Sequence, residues 1–119
     1  MTTTTSLVIT RAVNDRIADD APFAAFVWRS LLRFNRGDWG DTHADDLTAN
    51  DADAASLKAG HGGRVLAVYS ASDSRTVAAR LLRVPLWADG TNWPGDTVDA
   101  RIWIIRDALA VTILFPSDY

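Results

Sequence analysis

Three short runs of β-branched and aromatic residues constrain the fold of this chain more than any other feature. They span residues 64–69 (RVLAVY), 101–105 (RIWII) and 111–115 (VTILF). Apart from Arg64, Arg101 and Thr112, the runs are apolar at odd and even positions alike, which is typical of a strand covered on both faces. The segment that joins the last two runs is short enough for a hairpin loop. The sequence therefore predicts a sheet built largely from its C-terminal half.

The N-terminal half predicts one strand and one strong helix. Residues 6–10 (SLVIT) are strand-like, and residues 14–20 fit a turn or a short helix. A helix is predicted from Pro22 to Phe34, where Asp19 or Asp20 can cap the start and Gly37 can follow the end. Its apolar positions recur at helical spacing. They are Phe23, Phe26, Val27, Leu31 and Phe34.

The remaining segments complete a predicted α+β fold. Residues 42–50 are compatible with a helix capped by Asp41 or Thr42, and residues 60–63 (GHGG) form a break. Residues 73–87 fit a helix, although a strand pairing back on 64–69 is also open, and residues 89–99 read as a loop. We expect one domain over 1–119, with an antiparallel sheet of three to five strands and two or three helices on one side.

Length and composition exclude several classes of protein. The 119 residues fit a single domain, and no cysteine is available for a disulfide, a thiolate metal site or a nucleophile. The N-terminal threonine run has neither the basic nor the apolar region of a signal peptide. No apolar stretch approaches the ~18 residues that span a bilayer. We therefore expect a cytoplasmic protein that does not contact a membrane.

The negative charge of the chain is concentrated in the acidic segment, residues 37–53 (GDWGDTHADDLTANDAD). This segment holds six aspartates and no lysine or arginine. The whole chain has 15 acidic and 12 basic residues, and its net charge is −3. Without the six aspartates, nine acidic residues would face twelve basic ones. The rest of the chain is therefore basic, and the charge is unevenly distributed.

No catalytic motif accompanies this charge. The chain has no G-x-S-x-G, P-loop or G-x-G-x-x-G pattern, and neither His43 nor His61 has an identifiable nucleophile beside it. An EF-hand needs a glycine at the sixth position and a carboxylate at the twelfth, and the spacing after Asn50 supplies neither. We expect no catalytic residues, no metal and no other cofactor. The alternative is a divalent-metal protein or a metal-dependent enzyme, built on Asp38, Asp41, His43 and Asp45.

A binding role fits the charge better. An acidic surface with an aromatic residue can attract a basic protein, and its field can speed association tenfold to a thousandfold. Trp39 would serve as an anchor, or else as a lid on the core. The expected partner-binding residues are Asp38, Trp39, Asp41, Asp45, Asp46, Asp51 and Asp53. Direct binding of nucleic acid by the C-terminal arginines is a weaker alternative, because the isoelectric point is about 5.1.

Several segments taken in order resemble a family of small plasmid-related proteins of bacterial mobile elements, a family without an established activity. The segments are Ile9-Thr10, Val13-Asn14-Asp15, Phe26-Val27, Ser30-Leu31, residues 37–41, Asn50-Asp51, residues 64–66, residues 102–105 and residues 112–119. The chain is longer than such members between about Ser70 and Asp99. The resemblance implies mobile-element biology, in which small acidic proteins are often inhibitors of host defence, including anti-CRISPR proteins. Together with the acidic segment, this predicts a basic, nucleic-acid-handling partner such as a CRISPR–Cas component. Residues 37–41 also fit a structural turn that holds Trp39, which leaves residues 42–53 as the better partner-facing candidate.

Overall fold

The structure is a computed structural model that describes residues 5–70 and 100–119. The predictions of a helix or strand over 73–87 and of a loop over 89–99 lie outside the described residues. Within these two ranges the structure has three helices, α1 (Arg11–Asp19), α2 (Ala21–Asn35) and α3 (Ala44–Lys58). Four strands accompany them: β1 (Ser6–Ile9), β2 (Val65–Ser70), β3 (Arg101–Arg106) and β4 (Ala110–Leu114). A short 3-10 turn, Pro116–Asp118, follows the last strand.

The α+β class is confirmed, but the sheet is mixed and not purely antiparallel. Its strand order is β1-β4-β3-β2, and both the β2–β3 and β3–β4 pairs are antiparallel. The expectation of antiparallel pairing throughout is wrong at β1, which runs parallel to β4 with Ile9 opposite Ile113. The two strands are joined by nearly the whole chain, and such a long connection can return a strand in either direction.

One face of the sheet forms the core together with α1 and α2. The register places Tyr69 beside Ile102, and Ala67 beside Ile104, which pairs with Ile113 on its other side. All of these side chains are fully buried. The helices contribute Val13, Phe23, Phe26, Val27 and Phe34 to the same cluster. The predicted apolar stripe of α2 is therefore confirmed, because its side chains recur at helical spacing on one face of the helix and pack against the sheet.

The start of α2 is capped as predicted, whereas the start of α3 is not. Asp20 caps α2 as predicted, since its carboxylate accepts a hydrogen bond from Phe23 N at 3.1 Å. The helix predicted over 42–50 begins at Ala44 and continues to Lys58, and its cap is His43. His43 Nδ1 accepts from Asp45 N at 3.3 Å. The prediction of Asp41 or Thr42 as the cap is wrong, because the Thr42 hydroxyl accepts from Val68 N and the Asp41 carboxylate accepts from Ser70 Oγ.

Candidate functional site

The acidic segment begins with an ion pair that faces the core. Arg33, in the last turn of α2, is 6% exposed, and its guanidinium lies 3.0 Å and 3.3 Å from the two carboxylate oxygens of Asp38. The same guanidinium lies over the ring of Tyr69, at 5.4 Å from its centroid. Tyr69 in turn donates its hydroxyl to Asp38 O at 2.7 Å. Asp38 therefore neutralises a buried arginine and fixes the chain as it leaves α2.

Trp39 is a lid on the core and not an exposed anchor. Its side chain is 7% exposed, and its ring meets Phe34 edge-on with centroids 5.3 Å apart. The indole nitrogen donates to Asp51 Oδ1 at 2.8 Å. This bond joins the turn at residues 38–41 to α3, so Asp51 has a structural partner although its residue is exposed.

The acidic segment also covers the outer edge of β2. Asn50 bonds to Leu66 in both directions: its amide donates to Leu66 O at 2.7 Å, and its oxygen accepts from Leu66 N at 3.2 Å. Two residues further along the strand, Val68 N donates to Thr42 Oγ1 at 3.0 Å and Val68 O accepts from Asp41 N at 2.7 Å. We call Asp41, Thr42, Asn50 and Asp53 the edge cover. It satisfies backbone groups that a neighbouring strand would otherwise pair.

Both ends of β2 are included in this arrangement. At its start, Arg64 N donates to Asp53 Oδ2 at 3.3 Å, and at its end Ser70 Oγ donates to Asp41 Oδ2 at 3.2 Å. Gly40 forms a bridge with Val68 at a φ of 65°. A Cβ atom at this position would lie 2.5 Å from Val68 O, so only glycine allows so close an approach.

Three exposed aspartates lie close together in the chain where α3 begins, and we call them the acidic patch: Asp41, Asp45 and Asp46. All three residues are exposed, and the Asp45 side chain is 94% exposed. Within residues 5–70 and 100–119, none of them forms an ion pair with lysine or arginine. Asp45 lies 3.8 Å from Nδ1 of the exposed His43. The patch therefore presents negative charge that no basic side chain in this part of the protein neutralises.

The other aspartates of α3 lie on its flanks. At 100° per residue, residues seven apart in a helix fall on nearly the same side. Asp46 and Asp53 thus share the flank beside β2, while Asp51 and Lys58 share the opposite flank. This second flank lines a cleft of about 480 Å³ between α2 and α3, together with Phe34 and Trp39. Asp46, Asp51 and Asp53 are close in sequence, but the helix places Asp51 on the opposite flank from the other two.

The structure thus divides the seven predicted partner-binding residues. One group holds the turn, the helix and the sheet together, and it consists of Asp38, Trp39, Asp51 and Asp53. Asp45 and Asp46 are exposed. Asp41 belongs to both groups, because it bonds to β2 and is also exposed. The family-like motif at residues 37–41, the Asn50-Asp51 pair and residues 64–66 meet in this one network. Sequence reasoning missed Arg33, Thr42 and Asn50 as its partners. The signal was a polar residue at a helical position that faces the core, as Asn50 does between Leu47 and Leu57.

The remaining predictions have mixed support. In the part of the chain that the structure describes, no three His or Asp side chains converge as a metal site requires, so the metal hypothesis has no ligand set there. None of the described helices is long and apolar enough to cross a membrane. Of the C-terminal arginines, Arg101 and Arg106 lie at opposite ends of β3, whereas Arg75, Arg80 and Arg83 lie outside the described residues.

Comparison with known proteins adds no relative. No protein-family model matches the chain, and neither the curated proteins nor the solved structures include a significant match. The resemblance to plasmid-related proteins therefore stays a prediction.

Proposed function

We propose that this protein is a non-catalytic accessory protein of a mobile genetic element, which binds and inhibits a basic, nucleic-acid-handling protein of the host. The observation that carries the proposal is the acidic patch. Its three carboxylates are exposed, and no lysine or arginine among the described residues pairs with them. Asp38, Asp51 and Asp53 are bonded within the fold, and Asp41 accepts from Ser70 with one carboxylate oxygen, so Asp45 and Asp46 are the carboxylates most available for a partner.

The physical basis is electrostatic complementarity. Proteins that handle nucleic acid present lysine and arginine to phosphate groups, and the attraction weakens as salt increases. Carboxylates at and just before the start of α3 can occupy the same basic surface, because they carry negative charge as phosphate groups do. Such pairing mainly raises the association rate and excludes partners of the wrong charge.

The resemblance to plasmid-related proteins favours host-defence proteins as the partners of this protein. A mobile element inside a bacterial cytoplasm encounters host defences that bind and cut nucleic acid. A CRISPR–Cas component is the candidate partner on this basis. The proposal requires neither a cofactor nor a membrane, and the protein itself need not touch nucleic acid.

The experiment compares two double variants with equal change of charge. Asp45→Asn with Asp46→Asn removes two carboxylates of the patch, and Asp15→Asn with Asp19→Asn removes two exposed carboxylates of α1. Each protein is expressed in a strain whose CRISPR–Cas system targets a test phage, and plaque formation is counted. We expect the wild type and the α1 variant to restore plaques, and the patch variant to lose most of this effect.

A binding measurement accompanies the plaque assay. The immobilised wild-type protein should retain the purified effector complex of the strain at low salt and release it as salt increases. Melting curves of all three proteins establish that they are equally folded. Equal inhibition by both variants would refute the electrostatic account. A wild-type protein that neither restores plaques nor retains the complex would exclude this partner class.

A further inference from the structure

The cleft between α2 and α3 combines apolar walls with two cationic side chains. Its floor is the end of the sheet where β2 starts and β3 ends, and its walls include Phe34, Trp39 and Val65. Arg106 and Lys58 also line it. The volume of about 480 Å³ falls within the range of cavities that hold small organic ligands. The cleft lies on the flank of α3 away from Asp46 and Asp53.

Arg106 occupies a position where an arginine is costly. It is the last residue of β3, paired with Val65 on one side and Val111 on the other, on the sheet face that forms the core. Its Nε atom is buried and, within the described residues, has no hydrogen-bond partner. The adjacent carboxylate of Asp107 accepts instead from Leu109 N and Ala110 N. A buried donor without a partner destabilises a protein unless something else accepts its hydrogen bond.

The charges around the cleft favour an anion. Lys58 lies on the same flank of α3, and no ion pair joins it to another described residue. Asp51 is the one carboxylate among the described residues that line the cleft, and its Oδ1 already accepts from Trp39. Counting only the described residues, two cations and one anion line the cleft, so this lining is locally positive in a protein whose net charge is −3.

We propose that this cleft binds a small organic carboxylate with an aromatic or aliphatic body. The carboxylate accepts hydrogen bonds from Arg106 and Lys58, since guanidinium and ammonium donors bond most strongly to an ionised acceptor. The body packs against Trp39, Phe34 and Val65, which removes apolar surface from water. The site goes beyond the proposed function and does not depend on the acidic patch.

The test is a titration of the ¹⁵N-labelled protein followed by NMR. The probes are indole-3-acetate and octanoate, each beside its neutral amide, up to about 5 mM, which detects millimolar dissociation constants. We expect at least one acid to shift the Trp39 indole N–H and the Arg106 Nε–H signals. The matching amide should bind at least roughly tenfold more weakly than the acid, because it lacks the ionised acceptor.

Matched variants locate the binding. Arg106→Gln should abolish the preference for acid over amide, whereas Arg101→Gln, at the exposed opposite end of the same strand, should leave it unchanged. Asp51→Asn keeps an acceptor for Trp39 and removes the negative charge, so it should tighten binding of the acid.

Three results would overturn the proposal. These are no shift with either acid, equal binding of acid and amide, or equal loss of binding in the two arginine variants. None of them bears on the acidic patch, which the plaque assay tests separately. If Arg106→Gln is poorly folded by its amide spectrum, Lys58→Gln on the exposed surface of α3 replaces it, with the same expected loss of preference.

Discussion

Asp38 shows that the role of a charged residue depends on what it touches. By sequence it belongs to an exposed acidic run, yet its carboxylate pairs with Arg33, which is 6% exposed. Removing one member of such a pair leaves the other charge buried without compensation, which is more damaging than losing a surface ion pair. Asp45 differs from Asp38 only in its surroundings, and it remains available to a partner.

Asp107 predicts a pH dependence at the residue scale. The pKa of Asp107 lies below the ordinary 3.8. The largest cause is the hydrogen bond from Leu109 N, followed by the hydrogen bond from Ala110 N, and the positive charge of Arg64 lowers the pKa further. The folded protein therefore binds this proton less tightly than the unfolded chain. Its contribution to stability is complete above the unfolded pKa and is lost as the pH falls through the lower folded pKa.

We expect the melting temperature of Asp107→Asn to fall less than that of the wild type when the pH is lowered from about 5 to about 2. The amide oxygen can still accept both backbone hydrogen bonds, so the fold should persist. Asp15→Asn removes an exposed carboxylate that accepts no described hydrogen bond, and it is the control for lost charge. Identical acid profiles for the wild type and Asp107→Asn would contradict the assignment.

At the scale of elements, the acidic segment occupies the edge of β2 where a further strand would otherwise pair. The edge cover supplies side-chain and backbone partners to Leu66 and Val68, and α3 follows this edge of the sheet. An exposed strand edge invites pairing with other chains, and natural proteins cover such edges. The same segment therefore carries the charge of the surface and closes one side of the sheet.

The close approach of residues 38–41 to β2 gives a prediction with a matched control. Gly37 and Gly40 both have positive φ, of 77° and 65°. A Cβ atom at Gly37 would meet nothing within 4 Å, whereas at Gly40 it would overlap Val68 O and the Tyr69 ring. Gly37→Ala should cost about 1 kcal/mol from backbone strain alone. Gly40→Ala should cost about 3 kcal/mol or more, because overpacking adds to the strain.

The measurement for both glycine variants is urea unfolding monitored by tryptophan fluorescence. A larger loss for Gly40→Ala with an unchanged denaturant slope supports the contact with β2. Equal losses for the two variants would mean that the turn does not approach the strand as described.

At the scale of the whole molecule, the two edges of the sheet differ. The outer edge of β2 is bonded to the edge cover, while β1 forms the other edge with Leu7 and Val8 at 49% and 44% exposed. Ser6 N and Thr10 N point inwards to Leu109 O and Ile113 O. By alternation, the amides of Leu7 and Ile9 point outwards, where no described residue accepts from them.

Amide hydrogen exchange tests this asymmetry. We expect Leu66 and Val68 to exchange slowly although β2 is an edge strand, and Leu7 and Ile9 to exchange rapidly, because exchange requires an amide free of its bond. Asn50→Ala should accelerate Leu66 more than Val68, whose partner is Thr42. The exposed Thr48→Ala on the same helix is the control. Similar rates for the outward amides of β1 and β2 would refute the edge cover.

Local patterns predicted most of the elements. The apolar runs at 64–69, 101–105 and 111–115 all fall on strands, and the stripe of Phe23, Phe26 and Phe34 lies on α2. The parallel pairing of β1 was not predictable, because strand direction depends on the path of the intervening chain. The length of α3 was missed since its apolar positions are few, and its stability depends on contacts with β2.

The sequence alone determined the α+β class, the position of the main helix and the concentration of charge in residues 37–53. These follow from the spacing of apolar side chains and from composition, which are local properties. Only the tertiary structure decided which aspartate pairs with a buried arginine, which cover the edge of β2 and which face the solvent. The reason is that their partners lie elsewhere in the chain, and folding brings them within hydrogen-bond distance; these are Arg33, Trp39, Arg64 and Val68.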